Sequence, residues 1–146
     1  MTGEFAVAVH ALVYLNHKGT TVSSEDLAEN ICTNPARVRK VMSKLKKAGI
    51  LSAKEGNVGG YLFDSNPAKV NLNMVLLALD IPAMAPVWRP GSAEKKCLVA
   101  SGMGDILDGI YAQLDDACRQ KLLAITIADI EKQIFGSLHA YKKPLA

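Results

Sequence analysis

A run of positive charge in the first half of the chain most strongly constrains its fold. Between positions 37 and 54 the sequence carries seven Lys or Arg side chains and no acidic one. Within this run four apolar residues recur at the spacing of one helix face: Val38, Val41, Met42 and Leu45. At about 100° per residue, five other residues point away from that face: Ala36, Arg39, Lys40, Ser43 and Lys47. The pattern predicts a helix that buries one side and exposes a basic side with short side chains.

The sequence also marks the two ends of this helix. Asn34 is a suitable N-cap, and Pro35 fits the first helical position, where no backbone N–H is needed. Ala48 and Gly49 together form a stop signal. We therefore expect the helix to begin at Pro35 and to end near Ala48.

The neighbouring segments follow the order of a known DNA-binding motif. A short helix is predicted from Ser24 to Ile31, where Ser23 and Asp26 have the spacing of a capping box. After the basic helix, two short apolar strands, 50–54 and 61–63, flank a glycine-rich turn. A helix, a tight turn, a basic helix and a hairpin follow one another in winged helix-turn-helix proteins. A basic helix face is often only solvated, but this order favours entry into a DNA major groove.

Composition and charge narrow the class of partner. Hydrophobic residues make up 49% of the chain and aromatic residues 5%, which predicts an aliphatic core. Residues 1–69 hold nine Lys or Arg against six Asp or Glu, whereas residues 70–146 hold eight of each. The positive excess lies in the half that contains the basic helix, which favours a polyanionic partner. Because no apolar run approaches the ~18 residues of a membrane span and no signal-peptide pattern is visible, we expect a cytoplasmic protein.

The rest of the first half completes a domain around this motif. The segment 5–17 is apolar almost all round, which predicts a buried helix. Its two histidines share one face, but no ligand-spaced cysteine or carboxylate accompanies them, which favours a structural role over a metal site. A further helix is predicted from Leu72 to about Asp80, with Asn71 as its cap. We therefore expect a winged helix-turn-helix domain over residues 1–81.

The second part of the chain predicts a loop followed by helices. Prolines and glycines interrupt residues 82–103, which predicts a loop that is a candidate sensor region. Beyond Gly104 apolar residues return with the alternation of a helical seam: Leu107, Ile110, Leu114, Cys118, Leu122 and Ile125. This seam packs either against a second copy of the chain or on the first helix of the same chain, and we favour the dimer. With a last helix from Ile127 to about His139, residues 104–146 are expected to form a helical dimerisation region.

Three groups of residues carry a likeness to a known family. The first is the segment 5–9, Phe-Ala-Val-Ala-Val. The second is the segment 45–51 with Gly59, Gly60 and Tyr61, and the third is Cys97 between Lys96 and Leu98, with the segment 126–130. Together they resemble the Rrf-two family of bacterial transcriptional regulators, and the single cysteine before the long helix is similar to that of members of the YwnA type. The resemblance implies a mostly α-helical fold with a small β-hairpin wing, a winged helix-turn-helix domain and a long C-terminal dimerisation helix.

The resemblance also implies a site. It predicts a homodimer whose recognition helices and wings span a palindromic operator. On the recognition helix Ala36, Arg39 and Lys40 match base-reading positions, and residues 57–60 match the wing tip. From the wing tip the candidate DNA-binding residues are Asn57, Gly59 and Gly60. The other candidates are Arg37, Ser43, Lys44, Lys47 and Lys54.

The chain departs from the family pattern at two acidic residues. Glu4 and Glu55 stand where the family often has arginine. Each change removes a phosphate contact, so we expect DNA binding to depend more on Lys44, Lys46 and Lys47.

The three cysteines, at positions 32, 97 and 118, have no paired spacing, which fits a reducing compartment. The resemblance implies that cluster-binding members present three cysteines in the loop before the dimer helix, whereas this chain offers only Cys97 there. Since a cluster ordinarily needs four ligands, we predict no iron–sulfur cluster, no other cofactor and no metal. Cys97 is either a redox sensor, favoured by Lys95 and Lys96, or an inert loop cysteine. Cys32 and Cys118 are expected to be buried.

Two functions compete on the basis of the sequence. The first is a DNA-binding transcriptional regulator, in particular a repressor, whose partners are double-stranded DNA and a second copy of the chain, and which responds to redox or thiol chemistry through Cys97. The alternative is a winged-helix module that binds another protein and does not grip DNA, for which Glu4 and Glu55 leave room. An enzyme is not indicated, because no nucleophile–base pair, phosphate-binding glycine loop or paired-carboxylate arrangement is visible.

Overall fold

The structure is a computed structural model that describes residues 1–136. Within these residues the elements follow in this order: α1 Gly3–Lys18, α2 Ser24–Ile31, α3 Pro35–Lys47, β1 Ser52–Lys54, β2 Gly60–Leu62, α4 Leu72–Leu79, α5 Leu98–Leu123 and α6 Ile127–Gly136. The predicted class, mostly α-helical with one small β-hairpin, is confirmed. The predicted end of the last helix near His139 and the C-terminal residues after it lie outside the described residues.

The core is built around α1, which is buried over most of its circumference. Ala8, Ala11, Leu12 and Leu15 are fully buried, because α1 contacts α2, α3, α4 and α6. The four apolar residues predicted for the inner face of α3 are also fully buried. Among the described residues Phe63 is the one aromatic side chain in this buried core, so the expected aliphatic core is confirmed.

Helix starts follow the capping residues in the sequence. Ser23, Asn34 and Asn71 each accept a hydrogen bond from a backbone N–H of the first turn, at 3.1, 2.8 and 2.9 Å. Thr126 and Asp129 cap each other: Asp129 N donates to Thr126 Oγ1 at 3.1 Å, and Thr126 N donates to Asp129 Oδ2 at 2.8 Å. Such caps satisfy donors that the first turn leaves without an intrahelical partner. The predicted starts of α2, α3, α4 and α6 are thereby confirmed.

The hairpin is shorter than predicted and is tied to the start of α2. β1 pairs with β2 in antiparallel register, with Ser52 opposite Leu62. Three residues at the base of the hairpin are instead buried in the core: Ile50, Leu51 and Phe63. Tyr61 exchanges two backbone hydrogen bonds with Val22, at 2.8 and 2.9 Å. The hairpin is therefore fixed beside α2 and α3.

The long helix α5 begins at Leu98, so the predicted start near Gly104 is wrong. Gly102 and Gly104 lie in its first two turns and weaken the helical pattern in the sequence, because glycine has a low helix propensity. The loop predicted over residues 82–103 is therefore shorter and ends before Leu98. Within the described residues no helix is long and apolar enough to cross a membrane.

Polar contacts hold the loop over the first turns of α5. Ser92 N donates to the Ala100 carbonyl at 2.9 Å. Arg89 forms ion pairs with the carboxylates of Asp105 and Asp108. The loop thus has a defined position although proline and glycine exclude a regular element from it.

The C-terminal end of the described chain returns to the winged domain. Ile127, the first residue of α6, is fully buried, and Leu122 in the last turn of α5 is 8% exposed. α6 packs on α1, where the ring of His17 stacks on Phe135 with 4.1 Å between the ring centroids. The part of the predicted dimerisation region that forms α6 therefore packs on its own chain.

Candidate nucleic-acid interface

The side of α3 opposite to the core faces solvent, as the sequence predicted. We call it the α3 basic face, which comprises these predicted DNA-binding residues: Ala36, Arg37, Arg39, Lys40, Ser43, Lys44 and Lys47. All are exposed except Lys44, which is half-buried. The local reason is the spacing of the four buried apolar residues, which leaves every other direction around the helix to polar side chains.

Glu4 of α1 binds two lysines of the α3 basic face. Its Oε1 lies 2.7 Å from Lys40 Nζ, and its Oε2 lies 2.8 Å from Lys44 Nζ. The hydrogen bonds from Lys40 and from Lys44 lower the pKa of Glu4 from 4.5 to about 2. Lys44 also donates to the Leu79 carbonyl at 3.3 Å. The sequence predicted that Glu4 removes a phosphate contact, but it did not predict that Glu4 engages two cations of α3.

Arg39 is held by the N-terminal end of α2. Its Nη1 donates to Ser24 Oγ at 3.2 Å and lies 3.4 Å from Glu25 Oε1. Burial raises the pKa of the neighbouring Tyr61. Sequence reasoning missed Glu25 because it lies on a different helix and no local pattern links it to Arg39.

A groove of about 450 Å³ separates α3 from the hairpin. It is lined by Ser43 and Lys46 of α3, by Lys54 and residues 59–61 of the hairpin, and by residues 23–25 of α2. The structure thus brings together Ser43 and Lys54, which the sequence placed in the DNA-binding set, and adds Lys46 to them. The lining includes hydroxyl and cationic groups, which suit a phosphate backbone, and also the carboxylates of Glu25 and Glu55.

Two further lysines of α3 line a second groove, between α3 and α4. Lys44 and Lys47 line a space of about 460 Å³ together with residues 77–80 of α4. The cations of α3 are therefore divided between two edges of the helix. A helix that lies in a major groove has a phosphate strand on each side, and this division of charge suits both.

The wing tip is exposed, but its glycines have a structural explanation. Asn57 is exposed and Val58 is 80% exposed at the tip. A Cβ on Gly59 would collide with the backbone of Lys54, and a Cβ on Gly60 would collide with the backbone of Val22. Both glycines are thus required by the close approach of backbone segments, whatever the hairpin binds. The exposed Val58 was missed by sequence reasoning.

Between Val99 and Leu114, α5 exposes an apolar stripe. We call it the α5 stripe, and its members are Val99, Met103, Ile106, Ile110 and Leu114. They follow one another at spacings of three or four residues and therefore share one side of the helix. The other predicted interface residues are half-buried or buried within the chain: Leu107, Cys118, Leu122 and Ile125. Leu122, which the sequence placed in the interface, is buried in the core of its own chain.

Cys97 is exposed at the N-cap of α5. The backbone N–H of Ala100, followed by that of Val99, lowers the pKa of the Cys97 thiol below its usual range. The physical cause is thus the N-terminal turn of the helix, not the two lysines that the sequence suggested. Cys32, expected to be buried, is exposed; it is the C-cap of α2, in a left-handed conformation with φ of 62°.

These features define a class of protein. A short helix, a tight turn, an exposed basic helix and a hairpin packed on the same core form a winged helix-turn-helix domain. Over residues 1–133 the sequence matches the Rrf2 family, described as iron-dependent transcriptional regulators. The chain belongs to the Rrf2 family, which confirms the resemblance. It is therefore a member of a family of transcriptional regulators and not of enzymes.

Individual relatives match almost the whole chain. YwnA of Bacillus subtilis, named as an HTH-type transcriptional regulator, is 30% identical over 135 residues, which cover 92% of this chain and 99% of that protein. A crystal structure of a protein described as a transcriptional regulator from Lactobacillus plantarum has 27% identity and a TM-score of 0.77, covering 97% of this chain and 93% of that one. IscR of T. potens shares the fold, with 17% identity and a TM-score of 0.67 over 100% of this chain and 91% of its own.

The donor groups of the described residues do not fit an iron site. Among residues 1–136 no three His, Cys, Asp or Glu side chains lie together in a way that could hold a metal ion. Cys97 stands alone before α5, Cys32 ends α2, and Cys118 packs against the core. A cluster ordinarily needs four ligands. The absence of an iron–sulfur cluster stays a prediction, and no step of the proposed function passes through iron.

Proposed function

We propose that this chain is a sequence-specific DNA-binding repressor that binds a palindromic operator as a homodimer. One observation carries the proposal: the α3 basic face is exposed beside a hairpin that packs on the same core. A cationic helix with short outward side chains can enter a major groove, and an adjacent wing can follow the backbone.

The proposal assigns different roles to the residues of this face. Arg39 reads a base edge, because its fork of donors matches the two acceptors of guanine, and Ala36 and Lys40 line the same surface. Lys47, Lys46 and Lys54 contact phosphates, which fix the position of the helix without reading sequence. The wing tip at Asn57 and Val58 lies along the backbone or in the minor groove.

Two alanine variants test the division of roles once operator fragments have been selected from genomic DNA. Arg39→Ala is expected to lower the preference for operator over random DNA by about 1–3 kcal/mol. Lys47→Ala is expected to weaken binding to both DNAs equally and to reduce the salt slope by about 1. Both are measured as binding isotherms at several salt concentrations.

The matched control is Lys121→Ala, which removes an exposed lysine in the last turn of α5 and should change neither affinity. Equal losses from Arg39→Ala on the two DNAs would contradict its base-reading role. If the original protein binds no duplex even in dilute buffer, the DNA function is wrong and the protein-binding module is favoured.

A homodimer is proposed from the α5 stripe. An exposed row of apolar side chains along two or more helical turns is stabilised by packing against a copy of itself in a two-fold arrangement. Two recognition helices would then meet successive major grooves about 34 Å apart. The oligomeric state measured by light scattering tests this step, and a monomer at micromolar concentration contradicts it.

A redox response through Cys97 is the last part of the proposal. Its support is the exposure of the thiol together with its lowered pKa, since the thiolate is the form that oxidants attack. Mild peroxide is expected to modify Cys97 and to change operator binding in the original protein but not in Cys97→Ser. If peroxide leaves Cys97 unmodified, or if it changes operator binding equally in Cys97→Ser, the redox role is wrong and Cys97 is an inert loop cysteine.

A further inference from the structure

We propose that Glu4 restrains DNA binding by holding Lys40 and Lys44, so that a duplex must compete with its carboxylate for both cations. The inference rests on the proposed DNA-binding function and identifies a residue that limits it.

The geometry gives Glu4 one oxygen for each lysine. Oε1 binds Lys40 and Oε2 binds Lys44, so one side chain engages two successive turns of α3. The Glu4 side chain is 20% exposed, whereas that of Lys40 is 66% exposed. The lysines can therefore reach solvent more readily than the carboxylate can.

Glu4 is fixed in place by the fold. It lies in the first turn of α1, and Val7 and Ala8 in the next turn are buried in the core. Because α1 packs on α3, the carboxylate stays beside the recognition helix and cannot follow the lysines to a DNA backbone. A duplex must therefore break the two ion pairs or accept a negative charge beside its phosphates.

The other cations of α3 are not restrained in this way. Among the described residues no carboxylate lies within ion-pair distance of Lys46 or Lys47. The pair between Arg39 and Glu25 is longer, at 3.4 Å, and the Glu25 side chain is 68% exposed. Glu4 thus acts on Lys40 and Lys44 only, where it neutralises positive charge that would otherwise release counterions from DNA.

The test is Glu4→Gln, which keeps the size of the side chain and an acceptor oxygen but removes the charge. Binding to a short labelled duplex of random sequence is expected to tighten about fivefold at low salt, as removal of one unscreened like charge near a phosphate predicts. The slope of log K against log salt is expected to steepen by about 0.9 for each lysine released to a phosphate. The control is Glu94→Gln, which makes the same charge change in the exposed loop before α5 and should alter neither quantity.

A double-mutant cycle isolates the pair from any general change in charge. Lys40→Gln is expected to cost little affinity for the random duplex in the original protein, where Glu4 holds the lysine, and more in the Glu4→Gln background. Thermal unfolding followed by circular dichroism shows whether each variant is folded, so that affinities are compared between folded proteins only.

The outcomes separate this inference from the proposed function. Unchanged or weaker binding by folded Glu4→Gln, or an equal gain from Glu94→Gln, overturns the inference while DNA binding by the original protein stands. If neither the original protein nor Glu4→Gln binds any duplex, the proposed function is overturned and the inference with it.

Discussion

The winged domain buries most of its large apolar side chains, whereas the first half of α5 exposes several of them. In the winged domain Leu12, Leu27 and Leu76 are fully buried. In the first half of α5, Ile106 is 61% exposed and Ile110 is 46% exposed. The difference lies in what surrounds the helices. The winged domain shares one buried core with the end of α5 and the start of α6, whereas the α5 stripe lies outside that core and needs a further surface to become buried.

Polar contacts explain how α5 is held without burying its stripe. Arg89 pairs with Asp105 and Asp108 from the loop side. Asp115 accepts a hydrogen bond from Met84 N at 2.9 Å. These contacts orient the helix, while the apolar contact of α5 with the core is confined to its C-terminal half, around Leu122.

The largest expected effect is a leucine truncation in the winged domain. Leu76→Ala removes a fully buried side chain of α4 and is expected to lower the free energy of unfolding by about 2–5 kcal/mol. Leu114→Ala, the same change in the α5 stripe, should have a much smaller effect on the folding of one chain, because Leu114 is 44% exposed. Urea unfolding at low protein concentration measures the stability of both variants. Similar losses of stability would contradict the difference in burial between the two regions.

A charge in the α5 stripe should act on assembly and not on the fold. Ile110→Glu is expected to weaken self-association at least about tenfold, which corresponds to ~1.4 kcal/mol, because the carboxylate would lose its hydration in an apolar interface. The control is Leu77→Glu, since Leu77 is an exposed apolar residue of α4 outside the stripe. Sedimentation velocity over a concentration series reports the oligomer. A dimer that withstands Ile110→Glu would place the interface elsewhere.

Helix caps provide a smaller test of the same contrast. Asn34 accepts a hydrogen bond from Arg37 N at 2.8 Å at the start of α3, whereas Cys97 makes no side-chain cap hydrogen bond at the start of α5. Asn34→Ala is therefore expected to cost about 1 kcal/mol of stability and Cys97→Ala clearly less. Thermal unfolding of the two variants measures both losses of stability. A larger loss of stability for Cys97→Ala than for Asn34→Ala would show that this thiol has a structural role.

The smallest expected effect is a dependence of stability on pH, which arises from Glu4 in the winged domain. Because the pKa of Glu4 falls from 4.5 to about 2 on folding, its ion pairs stabilise the fold above pH 4.5 and are lost as the pH falls toward 2. Exposure of Lys40 screens the interaction, so we expect about 1 kcal/mol or less. In this pH window the unfolding free energy should change less with pH in Glu4→Gln than in Glu94→Gln. Parallel curves for the two variants would assign the acid sensitivity to other groups.

Much of the fold was accessible from local patterns. The caps at Ser23, Asn34 and Asn71 and the buried face of α3 were predicted correctly, because each depends on residues within a few positions of one another. The strands were predicted too long, since a short apolar run does not show whether it pairs in a sheet or packs in a core. The start of α5 was missed because Gly102 and Gly104 weaken the signal of a helix.

By itself the sequence determined the order of the helices, the starts of α2, α3, α4 and α6, and the cationic side of α3, because periodicity and capping act within one or two turns. Only the tertiary structure decided that Glu4 meets Lys40 and Lys44, and that Leu122 is buried while Ile110 stays exposed. Those contacts join residues that are distant along the chain, and their partners are chosen by how α1, α3, α4 and α5 pack together.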